Sequence, residues 1–440
     1  MNVHVLRLLL RPTRGNAATL VIPATAFAIV TALVLTVVGG AQTFWAVNDD
    51  SALTYQTLAA IALVLLVIPL ASLGGAAARL SARRRDERLS TLRLLGATPT
   101  GVGVATIIES TLIAAAGVVV GIAGYLALVP LIGLIPFRGQ PLGAAALLLS
   151  PLTVLWICLA AILLAAVSAV IGLRRVVISP LGVRMRSTPP SVHWIRAVIV
   201  AVALVIAFMV ANMVPQLLGV VSITVILAGL FGGVLALLNV VGPWALRLSA
   251  KRQARVAQTP QRLLAARSVL ESPKGAWRQV GGIAMASFMA VFAGTGVSLM
   301  NTVGAADAPP EAAYLVTDMR TGLIITLVAS FLMVAAQVGV TQASEILDQR
   351  DLHRSLHSLG AQMKTVDGAR RRAIMSPLLF VALGSALSAA IIIFPILGMT
   401  LVFAPLSLLT IAAVLAGGIL LVWVSTLTTR PLLARSFAAA

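Results

Sequence analysis

Long apolar runs, each closed by a short polar or arginine-bearing stretch, recur from one end of the 440-residue chain to the other. A helix needs about 20 apolar residues to cross a hydrocarbon core about 30 Å thick. The pattern therefore predicts ten membrane spans, at about 17–44, 53–78, 102–128, 147–172, 197–214, 217–241, 280–303, 321–343, 374–394 and 404–427. Only a tight turn at Pro215 and Gln216 parts the fifth from the sixth, and the third has room to continue as far as Ile135. The expected class is all-α and polytopic. The first run, Ala17 to about Phe44, is too long for a cleavable signal core of roughly 7–15 residues.

Charged positions orient these spans, because Lys and Arg collect in cytoplasmic loops. With the N-terminus inside, 30 of the 32 basic residues fall on the cytoplasmic side. They are Arg7, Arg11 and Arg14, six from Arg79 to Arg93, five from Arg174 to Arg196, eight from Arg247 to Arg278, six from Arg350 to Arg372, and Arg430 with Arg435. Only Arg138 and Arg320 fall outside, beside Asp49, Asp50, Asp307, Glu311 and Asp318. An odd number of spans, or the reverse orientation, would scramble this partition, so both termini are expected in the cytoplasm. Composition agrees: 60% of residues are hydrophobic and 10% charged, against roughly half and a quarter in soluble domains. The net charge of +19 follows from the insertion rule and from attraction to anionic inner-leaflet lipids. Its arginines are interleaved with Leu and Ala, without an aromatic stacking surface, so nucleic acid is not an expected partner. Cys158 is the only cysteine, which excludes internal disulfides and thiolate metal sites. The bias toward Arg, Ala and Val points to a high-GC bacterial genome, and hence to a bacterial plasma membrane.

Three short elements occur twice in the same order. An amphipathic stretch ending in proline precedes a span at Leu6–Pro12 and again at Arg267–Pro273. A cytoplasmic segment ends in Leu-Gly-Ala at Leu95-Gly96-Ala97 and at Leu359-Gly360-Ala361. A proline follows the fourth span of each set, at Pro180 and Pro431. Pro12 to Gly96 is 84 residues and Pro273 to Gly360 is 87, so the elements are in register and argue for an internal repeat. The expected organisation is a four-span unit at 1–186, two linking spans within 187–256, and a second four-span unit at 257–440. Six spans precede the second unit, so it enters in the same orientation as the first. The two units are then parallel repeats about an axis normal to the membrane.

The segment Arg83–Pro99 reads as a short helix ended by Gly96 and Pro99. Leu89, Leu92 and Leu95 share one face, Asp86 and Ser90 the other, Arg93 flanks the stripe, and Arg88 falls on its side near the start. Two readings stay open on these residues: docking into a groove of a cytoplasmic partner, or lying on the inner leaflet as an anchor.

At these positions the chain resembles the FtsX/MacB-like family of ABC transporter permeases. That family places an acidic residue, an arginine and a Leu-Gly-Ala end between its second and third helices, with a glutamate thirteen residues beyond the glycine. Glu87, Arg93, Leu95-Gly96-Ala97 and Glu109 match it here. The second copy offers Asp351, Leu356, His357, Leu359, Gly360 and Ala361, with His357 at the arginine place and no glutamate where Glu109 would repeat. Pro180 and Pro431 resemble the family's fourth-helix exit. The ten-helix, two-unit arrangement is similar to permeases of bacitracin- and lantibiotic-type peptide resistance transporters. Their large extracellular domain has no room in the loops at about Trp45–Ala52 and Asn301–Arg320.

The resemblance implies a permease subunit that is not itself an enzyme and binds no cofactor or metal. ATP and Mg would sit on a separate cytoplasmic ABC ATPase, in two copies, one for each coupling segment. Glu87, Arg88, Leu89, Leu92, Arg93, Leu95, Gly96 and Ala97, with the second copy's residues named above, would form the contacts to it. The chain agrees in having no Gly-x-x-x-x-Gly-Lys-Ser/Thr phosphate loop. The implied activity is export, or extraction from the membrane, of an amphipathic peptide or lipid, as in antimicrobial peptide resistance. Two other classes compete. One is a signalling membrane protein that transmits force to an extracellular partner or sensor kinase. The other is an ion-coupled secondary carrier, for which Glu109 is the only acidic residue expected inside a span.

Other residues divide between chemistry and packing. Glu109 lies about two turns from the cytoplasmic end, which suits a structural or coupling role better than substrate contact. Gly117-x-x-x-Gly121 permits close helix approach, as do Gly229, Gly232 and Gly233. His353 and His357 are four apart but lack a third metal ligand nearby. Asp307, Glu311 and Asp318 are expected on an outer loop, where they would attract a cationic substrate or serve only to keep the loop polar.

Overall fold

The computed structural model describes residues 17–47, 51–83, 99–178, 220–303, 310–349, 355, 358, 360–393, 405–431 and 433–434. Helix α1 spans Ala17–Trp45, α2 Ala52–Arg83 and α3 Pro99–Gly133. A two-stranded hairpin follows, β1 (Pro136–Phe137) with β2 (Gln140–Pro141), then the single turn α4 (Ala144–Leu147) and α5 (Pro151–Ile178). Further along the chain come α6 (Val220–Arg255), α7 (Pro260–Glu271), α8 (Pro273–Val303), α9 (Pro310–Asp348), α10 (Met363–Ile392) and α11 (Pro405–Thr428).

Seven of these helices are long and apolar enough to cross a membrane among the described residues: α1, α3, α5, α8, α9, α10 and α11. The protein is an all-α, multi-pass membrane protein. The second expected span falls on α2, whose described apolar stretch is Ala52–Val67. The sixth falls on α6, and the fifth lies outside the described residues.

Helix ends correct several expected boundaries. The fourth span begins at Pro151 and not at 147, because Ser150 Oγ accepts the Thr153 N–H at 3.2 Å and Pro151 opens the first turn. Leu147 and Leu149 instead pack, buried, beside Tyr125 of α3. Helix α9 starts at Pro310, well before the expected 321, leaving only 304–309 between α8 and α9. The loop expected at Asn301–Arg320 is therefore mostly helix.

The chain divides into two compact units. One comprises Met1–Met185, Val297–Leu356 and Ala416–Ala440, the other Arg186–Gly296 and His357–Leu415, so the division falls within α8 and within α11. In the first unit α1 packs against α2, α3, α5 and α9. Its core joins Ala26, Phe27 and Val30 of α1 to Leu66, Leu73 and Ala77 of α2, Ala114 of α3 and Met333 of α9. Gly117 and Gly121 set the approach of α3. A Cβ on Gly117 would lie 2.5 Å from the Ala24 carbonyl oxygen, and one on Gly121 2.7 Å from that of Ala28. The small-residue spacing in the sequence is thus a packing face, as expected.

In the second unit α7 packs on α6 and α10. Thr259 caps α7, its side chain accepting the Arg262 N–H, and Pro260 opens the helix. A single residue, Ser272, then separates α7 from α8. Trp277 Nε1 donates to Asn239 Oδ1 at 2.8 Å, tying the start of α8 to α6. Ser376 of α10 donates to Gln253 of α6 at 2.8 Å.

Candidate functional site

The expected coupling residues fall unevenly. Glu87, Arg88, Leu89, Leu92, Arg93, Leu95, Gly96 and Ala97 lie outside the described residues, as do Asp351, Leu356, His357 and Leu359, and His353 beside them. Gly360 and Ala361 are described. Gly360 has φ 84°, the left-handed conformation in which glycine ends a helix, and Ser358 just before it is helical. Gln362 then leads into α10. Glu109 is half-buried on α3, two residues into the apolar span Ile107–Gly133 and next to the buried Ser110.

The most developed polar site lies at the opposite end of α3 and was misplaced by hydropathy. Asp318 belongs to α9 and is only 4% exposed. Its Oδ2 accepts the Tyr55 hydroxyl at 2.6 Å and the Arg138 backbone N–H at 3.0 Å, with Oδ1 3.1 Å from the same N–H. Arg138 and Gly139 are the two loop residues of the β1–β2 hairpin, with φ 54° and 75°. Positive φ at both positions is the two-residue turn that matches strand twist. Arg138 adopts it at a local cost that the Asp318 hydrogen bond offsets. The Arg138 guanidinium stands 5.9 Å from the Tyr55 ring centroid. Phe44 stacks on Tyr55 at 6.1 Å and meets Phe137 edge-on at 5.2 Å. One carboxyl group thus ties the start of α2, the α3–α5 connection and the early part of α9 together.

Asp318 is therefore not a loop acid facing solvent. Glu311 sits in the first turn of α9, and Asp307 lies outside the described residues. The expectation that Glu109 would be the only acid on a spanning helix is corrected as well. A helix-start signal was present in the sequence: Pro310 at the first position, followed by Glu311.

Within the first unit an open apolar cleft of about 450 Å³ runs between α1, α3, α9 and α11. Ile29, Leu33, Leu128, Leu332 and Leu421 supply most of its wall, and Ser425 and Thr428 its only polar side chains. Both hydroxyls are turned inward: Ser425 Oγ donates to the Ala335 carbonyl at 2.6 Å and Thr428 Oγ1 to that of Ser425 at 2.9 Å. Such a lining offers hydrocarbon contact and no charge.

Residues 77–181 match the family model described as FtsX-like permease C-terminal. The chain carries an FtsX-like permease domain. In a multi-pass membrane protein, this match supports a permease-type membrane subunit. The FtsX-like domain takes in the end of α2, the Glu87–Ala97 segment, Glu109 on α3, the β1–β2 hairpin and α5. Tyr55 and Asp318 lie outside it, so the tie links the FtsX-like domain to helices beyond its limits. No curated protein matches the chain.

Proposed function

We propose that this chain is the membrane subunit of an ABC transporter in a bacterial plasma membrane, with both termini cytoplasmic. It moves an amphipathic peptide or lipid out of, or across, that membrane. The observation that carries the reading is the FtsX-like match over 77–181, which covers the Glu87–Ala97 segment together with the end of α2 and all of α3 and α5. Glu87 to Ala97 and Asp351 to Ala361 are the two coupling segments, each engaging one cytoplasmic ABC ATPase that holds ATP and Mg. Docking, and not anchoring on the leaflet, is the role of the Leu89, Leu92 and Leu95 stripe.

Two structural features support coupling across the bilayer. Helix α9 has 39 residues, about 58 Å at 1.5 Å per residue, far more than a 30 Å core requires. Its first turns are held, through Asp318, by Tyr55 and by the hairpin inside the FtsX-like domain. Movement of the cytoplasmic segments would reach the outer end as a rigid displacement. The uncharged cleft lined by Leu33 and Leu332 favours an amphipathic cargo over pure force transmission to an outside partner, and it offers nothing to a coupling ion.

Co-expression of the affinity-tagged chain with an ATPase encoded beside it tests the reading. The ATPase should copurify and its hydrolysis should depend on the permease. Purification of the intact permease without any ATPase from cells expressing both would contradict it.

A further inference from the structure

We propose that α7, with the end of α6 and the first turn of α8, forms a binding surface for the headgroups of anionic phospholipids. The inference requires only that α8 crosses a membrane, and not that the chain couples to an ATPase. Between Arg247 and Arg278 eight basic residues stand against one acid, Glu271. Lys251, Arg252, Arg255, Arg262, Arg267 and Lys274 are all exposed.

Helix α7 commits one face, Ala265, Ala266 and Val269, to the interior of its unit. The other face carries Leu263 and Leu264, 41% and 48% exposed, with Arg267 between them on the helical wheel. A helix bathed in water on that side gains nothing from two exposed leucines flanked by arginine. A helix lying in the headgroup zone does, because the leucines reach the acyl boundary while the guanidinium groups meet phosphate. Leu248 on α6 and Val256 just beyond its end, 55% and 65% exposed, add further uncovered apolar side chains to this segment. Position along the chain places α7 at that depth: Ser272 alone separates it from α8, whose apolar span begins at Pro273. The excess of positive charge selects anionic over zwitterionic lipid.

Cys158 is buried, and in a C158A background an environment-sensitive fluorophore on L264C reports this surface alone. The full chain is placed in nanodiscs of phosphatidylcholine, with or without one-third phosphatidylglycerol. Phosphatidylglycerol should shift the emission to shorter wavelength and cut iodide quenching several-fold. The R262Q/R267Q/K274Q variant, with unchanged helical circular dichroism, should lose that lipid dependence. Equal emission in both lipids, or a variant that keeps the dependence, overturns the proposal. So does inorganic phosphate reproducing the shift in neutral discs, which would make the ligand a soluble anion. A label that stays quenchable in anionic discs and is covered only when a cytoplasmic protein binds would also overturn it, in favour of a protein interface.

Discussion

Asp318 draws its two donors from elements more than a hundred residues away in sequence, Tyr55 on α2 and Arg138 at the hairpin tip. Removing the carboxyl group leaves a buried hydroxyl and a part-buried amide without their acceptor, at roughly 1–3 kcal/mol each. Asp318→Ala should therefore destabilise the protein by about 2–4 kcal/mol and Tyr55→Phe by about 1–2 kcal/mol. The double variant should fall short of the sum, since the two side chains share one bond. Thermal unfolding in detergent, followed by circular dichroism for all three, measures this; strict additivity would mean that the bond contributes nothing. Hydropathy could not reveal the site. Asp318 and Arg320 end the apolar window, and the compensation for a buried acid comes from distant residues whose proximity only the fold creates. Tyr55 and Arg138, unremarked as site residues, had no local motif to mark them.

Glycine spacing was legible because close helix approach needs a particular residue at a particular interval. Gly117 and Gly121 sit four apart on α3, each against a backbone carbonyl of α1. Gly117→Val would drive a branched side chain into the Ala24 carbonyl, and overpacking of this kind costs about 1–3 kcal/mol. The variant should unfold several degrees lower, and a wild-type midpoint would show that α1 and α3 are not held at this distance. Span existence was equally legible, since seven apolar helices coincide with expected runs. Helix ends were not, because they depend on caps such as Ser150 and on polar residues satisfied tertiarily. At the coupling segments the stripe of Leu89, Leu92 and Leu95 was read from periodicity. Replacing Leu92 and Leu95 by Asp should abolish permease-dependent ATPase activity while leaving membrane insertion intact. The matching change at Leu356 and Leu359 should cost less, since the second copy has His357 in the arginine place and no counterpart of Glu109. Equal loss of ATPase activity from both would remove the proposed asymmetry.

For the whole molecule, the proposed repeat and the expected even number of linking spans would supply two coupling segments on one side of the membrane from a single polypeptide. A permease with a single four-span unit would have to pair to present two ATPases with a twofold platform, whereas the proposed fused pair would use its axis internally. The FtsX-like match lies on the first of the two units alone. That agrees with a second copy that has drifted further from the family pattern, and it makes the stoichiometry the point on which the reading turns. Native mass measurement of the detergent-solubilised complex decides it. One permease chain bound to two ATPase chains is the expected result. Two permease chains bound to two ATPase chains would contradict it.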